Sequence, residues 1–239
     1  MGSSRLPGKV MKQVMGKPLL GYLIDRVKLV GSIDEIVVAT PVGVDNDVIE
    51  RYCIEEDIVC YRGSEHDVLD RTLQALKSVD ATVGVEVYGD CPLIDYRIIE
   101  NVIAVFLSNP QYDFVSNDLK TTYPPGMEVE VFNFNALNDS SNRLSDDHPD
   151  REHGTLYIRQ NPTRYKIKNI TASVEHFRPD LELEVDAAED LDLISMIIEH
   201  FCGDPKLSLS EIITYIDTVP DLASINKNVH RRWKKYRND

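Results

Sequence analysis

Long apolar runs are missing from this 239-residue sequence. No stretch reaches the roughly eighteen residues that a helical membrane span needs, so no such span is expected. Cysteine is scarce and scattered. Its four copies, Cys53, Cys60, Cys91 and Cys202, form no CxxC pair, which argues against a structural zinc site and against a disulfide framework. A reducing, cytoplasmic setting is the expectation, and the opening residues MGSSRLPGKV carry no apolar signal core. Positive charge is also in short supply: 26 Lys and Arg face 40 Asp and Glu, for a net charge of -14. Such a surface repels phosphate backbones, so no general binding to nucleic acid or to an anionic membrane is expected. One concentrated basic run, HRRWKKYR at 230–237, reads first as a solvated helix end. There is no GxSxG and no Cys/His signature, so nucleophilic catalysis has no candidate.

What is present is an alternation of short β-branched runs with longer amphipathic stretches, and no internal repeat. Helices are expected at 18–30, 47–56, 67–77, 96–107, 189–201 and 210–216, and a short one at 153–159. Strands are expected at 36–40, 58–61, 82–88, 165–172 and 183–186. IVVAT at 36–40 is apolar throughout, as in a strand buried on both faces. Strands alternating with such helices imply βαβ units and a mainly parallel sheet with flanking helices. From about 113 the texture changes. DFVSN and MEVEVFNF are strand-like, 138–150 is polar and loop-like, and 113–172 is expected to be an arm inserted into a single 1–239 domain.

In open α/β sheets, ligands bind beyond the carboxyl ends of the strands. Five segments are candidates there. In GSSRLPGK (2–9), small residues let backbone N–H groups approach phosphates, and Arg5 and Lys9 add fixed positive charge; chance small residues at a terminus are an equal alternative, and the Walker A pattern is not met. In GDCPLID (89–95), Asp90 follows a strand and suits Mg²⁺, though a plain turn residue is the commoner reading, whereas Asp95 suits a helix cap. Asp186 closes LELEVD, while Glu189 and Asp190 read as ordinary first-turn acids. One carboxylate from each of two strand ends makes a shared metal site. RGSEHDVLDR (62–71) permits close approach at Gly63, with Asp70 and Arg71 one turn in; a cap built on Ser64 and Asp67 is the plainer reading. HPDREH (148–153) lacks HExxH spacing, so zinc has little weight; Arg151 and His153 suit a polar clamp about as well as an exposed loop.

Together these segments resemble the CMP-sugar synthetases, closest to the spore-coat polysaccharide type of cytidylyltransferase and related to the CMP-Kdo and CMP-sialic acid synthetases. The residues that carry the resemblance are GSSRLPGK (2–9), GKPLLGYLIDRV (16–27), RGSEHDVLDR (62–71), GDCPLID (89–95), REHGTLYIRQNP (151–162) and LELEVDAAEDLDLI (181–194), in family order. The resemblance implies a nucleotide-diphospho-sugar transferase-like fold and a reaction of CTP with an acidic sugar to give CMP-sugar and pyrophosphate. It implies that Ser3, Ser4, Arg5 and Lys9 hold the triphosphate and that Gly63, Asp70 and Arg71 lie near the nucleoside. It further implies that Asp90 and Asp186 hold Mg²⁺, that Arg151, Glu152 and His153 line the sugar side, and that the protein is a homodimer. The family places an apolar first strand before MGSSRLPGK, and that strand is expected to be absent here. Two rivals follow: a nucleotidyltransferase using another NTP, and a non-catalytic nucleotide- or sugar-binding homologue. Pyrophosphate release from CTP with Mg²⁺ and sugar acids separates them.

Overall fold

The architecture comes from a computed structural model that describes residues 1–231; most of the basic run 230–237 therefore lies outside the described residues. The N-terminal segment makes a 3₁₀ turn at Lys9–Met11 and a small antiparallel hairpin, β1 (Gln13–Val14) and β2 (Lys17–Pro18). Pro18 then caps α1 (Leu19–Val27), whose extended entry suits a residue without a backbone donor. The chain continues through β3 (Val37–Pro41), α2 (Asp47–Glu55), β4 (Val59–Gly63), α3 (Val68–Ser78), β5 (Val83–Glu86) and α4 (Tyr96–Leu107). Then come β6 (Phe114–Ser116), β7 (Glu130–Asn133), α5 (Phe134–Arg143), α6 (Leu156–Gln160), β8 (Ile167–Asn169), α7 (Ala188–His200) and α8 (Leu209–Thr218).

The fold is α/β, as expected, and β5, β6 and β8 run in one direction with β7 reversed among them. β3 and β4 form a parallel pair. β5, β7, β6 and β8 form a four-stranded sheet in that order, in which β7 runs antiparallel to both neighbours and β6 pairs with β8 in parallel. The stretch expected to be an inserted arm thus supplies three of the four strands of this sheet. Among the described residues, β3 is laddered only to β4, and β5 only to β7.

Two apolar cores follow from strand alternation. Phe114 opposes Phe132, and both join Leu69, Leu73, Leu137 and Ile158 beneath α3, α5 and α6. Val115 opposes Val131, and both face the larger core with residues of α1, α4, α7 and α8. The sheet therefore lies between two helical layers. Gly84 stands opposite Phe132 in the ladder, and a Cβ there would fall 2.5 Å from the Phe132 ring, so only glycine lets the ring lie across β5.

Two local expectations are corrected. Residues 138–150 were expected to be a loop, but α5 runs on through 138–143 before the chain leaves the helix. The Asn133 side chain accepts from the Ala136 N–H and starts it. Residues 183–186 were expected to be a strand; they form no ladder and bend at Glu184, tied by Leu183 N–H to Pro125 O at 2.7 Å and Val185 N–H to Asp90 O at 2.9 Å.

Candidate active site

The opening segment folds across the carboxyl ends of the strands. The Met1 ammonium donates to Asn46 Oδ1 beyond β3 at 3.0 Å. Gly2 lies against Glu65 beyond β4, where a Cβ would come within 3.0 Å of the carboxylate. The Gly8 N–H closes back on Met1 O at 3.2 Å, and Gly8 takes a left-handed φ of 68°, which glycine adopts without strain. Ser3 Oγ accepts the Leu6 N–H at 3.3 Å within the same loop, and Ser4 stands exposed on it.

That path delivers Arg5 and Lys9 to two acids. Lys9 Nζ lies 2.6 Å from Asp90 Oδ2 and 3.0 Å from Asp186 Oδ1. Arg5 bonds Asp186 Oδ2 at 2.6 Å and donates to His230 O at 2.6 Å. Asp90 follows β5 in the turn closed by the Cys91 N–H on Tyr88 O. Asp95 caps α4 through the Arg97 N–H, as expected, and also accepts from the Leu209 N–H. Asp186 is placed from the other side. Gly126, at φ 103°, lies so close to residues 183–184 that a Cβ would fall 2.6 Å from the Leu183 carbonyl carbon. Fully buried Asp190 accepts the Asp186 and Ala187 N–H groups, and is itself held by Arg231 and Asn226.

The electrostatics follow from this crowding. Burial alone would lower the Lys9 ammonium, but Asp90 and Asp186 outweigh it and hold the pKa well above the ordinary value. Burial alone would raise the Asp186 carboxyl, yet Lys9 and Arg5 hold it below the usual carboxylate range. Glu184 is pushed up to about 9 by burial and then by Glu128 and Asp90. Among the described residues no group of three or more His, Cys, Asp or Glu side chains is arranged to hold a metal. Two carboxylates on one ammonium are nevertheless a donor set that suits a hard divalent cation, which takes few carboxylates and fills its shell with water and phosphate oxygens. The Lys9 ammonium stands between the two carboxylates.

A second group lies at the ends of β4 and β5. Gly63 has no room for a side chain: a Cβ would come 2.9 Å from Arg71 Cγ. Arg71 donates to Ser64 O at 2.5 Å, and Asp70 accepts from Gln74 at 2.9 Å. The cap of α3 is the Asp67 side chain, with Ser64 Oγ accepting the Asp67 N–H. Arg151 is turned inward. Its guanidinium is paired with Asp67 at 2.8 Å and donates to Ser141 O and Leu144 O, so in this structure it fastens the 148–153 segment to α3. Glu152 is exposed and His153 half-buried beside it.

Several charged residues at this end of the sheet were not singled out from the sequence. Fully buried Glu130 accepts from Arg159 at 2.8 Å, from the Tyr88 hydroxyl at 3.2 Å and from the Thr155 hydroxyl. Arg159 also reaches Asp118 at 3.3 Å. Glu86 has one carboxylate oxygen shut off from solvent and without a hydrogen-bond partner. Burial, then neighbouring Glu130, pushes its pKa up to about 8. The available signal was an acid in an otherwise apolar strand, VGVE or MEVEV, which alternation alone turns outward.

Two convergent acids and two cations beyond the strand ends of an α/β fold are what a nucleotidyltransferase presents to its substrates. The profile of the cytidylyltransferase family matches residues 1–215, and the chain belongs to that family. It is 33% identical over 229 residues to the spore coat polysaccharide biosynthesis protein SpsF of Bacillus subtilis (strain 168), covering 94% of this chain and 93% of that one. It is 34% identical over 108 residues, 44% of this chain and 43% of the other, to 3-deoxy-manno-octulosonate cytidylyltransferase 2 of Hydrogenovibrio crunogenus. Among solved structures, a cytidylyltransferase from Leptospira borgpetersenii superposes with a TM-score of 0.87 at 28% identity, over 97% of this chain and 94% of that one. No helix among the described residues is long and apolar enough to cross a membrane.

Proposed function

We propose that the protein transfers the cytidylyl group of CTP to a hydroxyl of an acidic sugar, releasing pyrophosphate, with Mg²⁺ held by Asp90 and Asp186. The observation that carries the reading is the meeting of those two acids, 96 positions apart in the chain, on Lys9 beside the small-residue opening loop. The 3-deoxy-manno-octulosonate relatives favour an acidic sugar, and the SpsF relative favours surface polysaccharide synthesis; a cytoplasmic setting, read from the scattered cysteines, is part of the same proposal. A homodimer belongs to the same proposal.

In this mechanism the loop Ser3–Ser4 presents small side chains and backbone N–H groups to the triphosphate, and Arg5 and Lys9 move from carboxylates to phosphate oxygens. Gly63, Asp70 and Arg71 lie near the nucleoside. Glu152 and His153 face the sugar, and Arg151 positions them through Asp67. The sugar oxygen forms a bond to the α-phosphorus and gives up its proton to solvent as the bond from the α-phosphorus to the bridging oxygen breaks, and Arg5 and Lys9 take up charge on departing pyrophosphate. The metal, when bound, neutralises phosphate charge and raises the acidity of the attacking hydroxyl.

Pyrophosphate release measured with CTP, Mg²⁺ and a panel of ulosonic acids tests the reading. Activity with CTP well above that with the other three NTPs is expected. Asp90→Asn and Asp186→Asn should each lower kcat by about 10²- to 10³-fold, as loss of a main electrostatic element does. Full activity in both variants would refute the metal assignment.

A further inference from the structure

The Lys9 ammonium occupies the position between Asp90 and Asp186 that a divalent ion would need. Its two contacts, at 2.6 and 3.0 Å, are full charge-assisted hydrogen bonds, and Arg5 holds the remaining oxygen of Asp186. Two acids and two bases leave the unliganded site without net charge, so little attraction remains for a free cation. An incoming triphosphate changes that balance. It offers several anionic oxygens to Lys9 and Arg5, and each cation that leaves exposes a carboxylate. Lys9 is equipped to move. It begins the 3₁₀ turn directly after the left-handed Gly8, it ends in a flexible four-carbon stem, and its side chain is 17% exposed.

We propose that Lys9 closes the Asp90–Asp186 pair to free divalent cations, so that the ion enters only with the nucleotide, whose triphosphate draws Lys9 away. Metal and nucleotide binding are then coupled through one side chain, each strengthening the other. Asp90 and Asp186 exchange an internal cation for an external one, and Lys9 exchanges carboxylates for phosphate. The proposal rests on the metal assignment above but goes beyond it, because a metal site built on the same two acids without this plug would fill from Mg²⁺ alone.

The test is Mn²⁺ binding to the protein without nucleotide, read by electron paramagnetic resonance. Wild type should bind Mn²⁺ weakly. Lys9→Met and Lys9→Gln should each bind it at least about 10-fold more tightly, since a unit charge a few ångströms away repels the ion strongly. Adding Asp186→Asn to either variant should abolish the gain. Lys9→Arg should stay close to wild type. As a readout on the unaltered protein, the ¹⁵N resonance of the Lys9 ammonium should show a carboxylate-bonded, slowly exchanging group that shifts on adding CTP with Mg²⁺ but not with Mg²⁺ alone. Equal Mn²⁺ affinity in wild type and both neutral variants, or a Lys9 signal displaced by Mg²⁺ alone, overturns the proposal. If Asp90→Asn and Asp186→Asn leave metal-dependent CTP binding unchanged, the metal assignment itself falls, a separate outcome.

Discussion

Glu86 is an acid that the fold keeps largely protonated at neutral pH. Its carboxyl lies among Arg71, Glu130 and Gly154, with burial as the larger cause of its raised pKa and Glu130 as the next. The sign of its effect on stability is opposite to that of paired carboxylates such as Asp186. The unfolded chain releases the Glu86 proton near the ordinary 4.5, whereas the folded chain holds it to about 8. Its contribution is therefore complete below the unfolded value and is lost as pH rises from there through 8. Urea midpoints measured from pH 5 to 9 should decline over this window in wild type and flatten in Glu86→Gln. Arg151 makes a different prediction. Its side chain is 8% exposed and holds Asp67, so Arg151→Ala leaves a carboxylate without its partner at the start of α3. A loss of about 3 kcal/mol in urea unfolding is expected, in the range for breaking a buried pair. Asp90 and Asp186 were legible in the sequence because each closes an apolar run, where the chain emerges from the sheet. Arg151 was legible as part of a motif, but its inward orientation was not, since burial of an arginine depends on a partner 84 positions away.

At the scale of elements, α4, α7 and α8 announce themselves through apolar periodicity, and Ser208 with Glu211 completes the capping box of α8. α5 does not. Its sequence FNALNDSSNR is rich in Asn and Ser, and only the Asn133 cap and the buried positions Ala136, Leu137 and Ser140 reveal the helix. Residues 183–186 look like a strand because Leu183 and Val185 alternate with acids. What fixes them is the close approach of the Gly126 backbone rather than a ladder. Gly126→Ala should therefore act on both stability and catalysis. The methyl group meets backbone at 2.6 Å, and a φ of 103° is strained for any side chain, so a loss of at least about 2 kcal/mol is expected. Because the displaced segment carries Asp186, kcat should fall further than that of a folded variant destabilised equally in the second core, such as Leu137→Ala.

For the whole molecule, helix–strand alternation identified the α/β class, but not the direction of β7 or the membership of β6, β7 and β8 in the main sheet. Strand direction is set by which faces must be buried. Phe114 and Phe132 on one side, with Val115 and Val131 on the other, fix the register only once both helical layers are in place. The same assembly brings Asn46, Glu65, Asp90 and Asp186 under a single N-terminal loop, and the catalytic reading depends on that convergence. Anomalous diffraction from a crystal grown with CTP and Mn²⁺ measures it directly. The account predicts a manganese peak within coordination distance of Asp90, Asp186 and a phosphate oxygen, with Lys9 turned onto the triphosphate. A manganese ion bound away from these two acids, with Lys9 still between them, would contradict it.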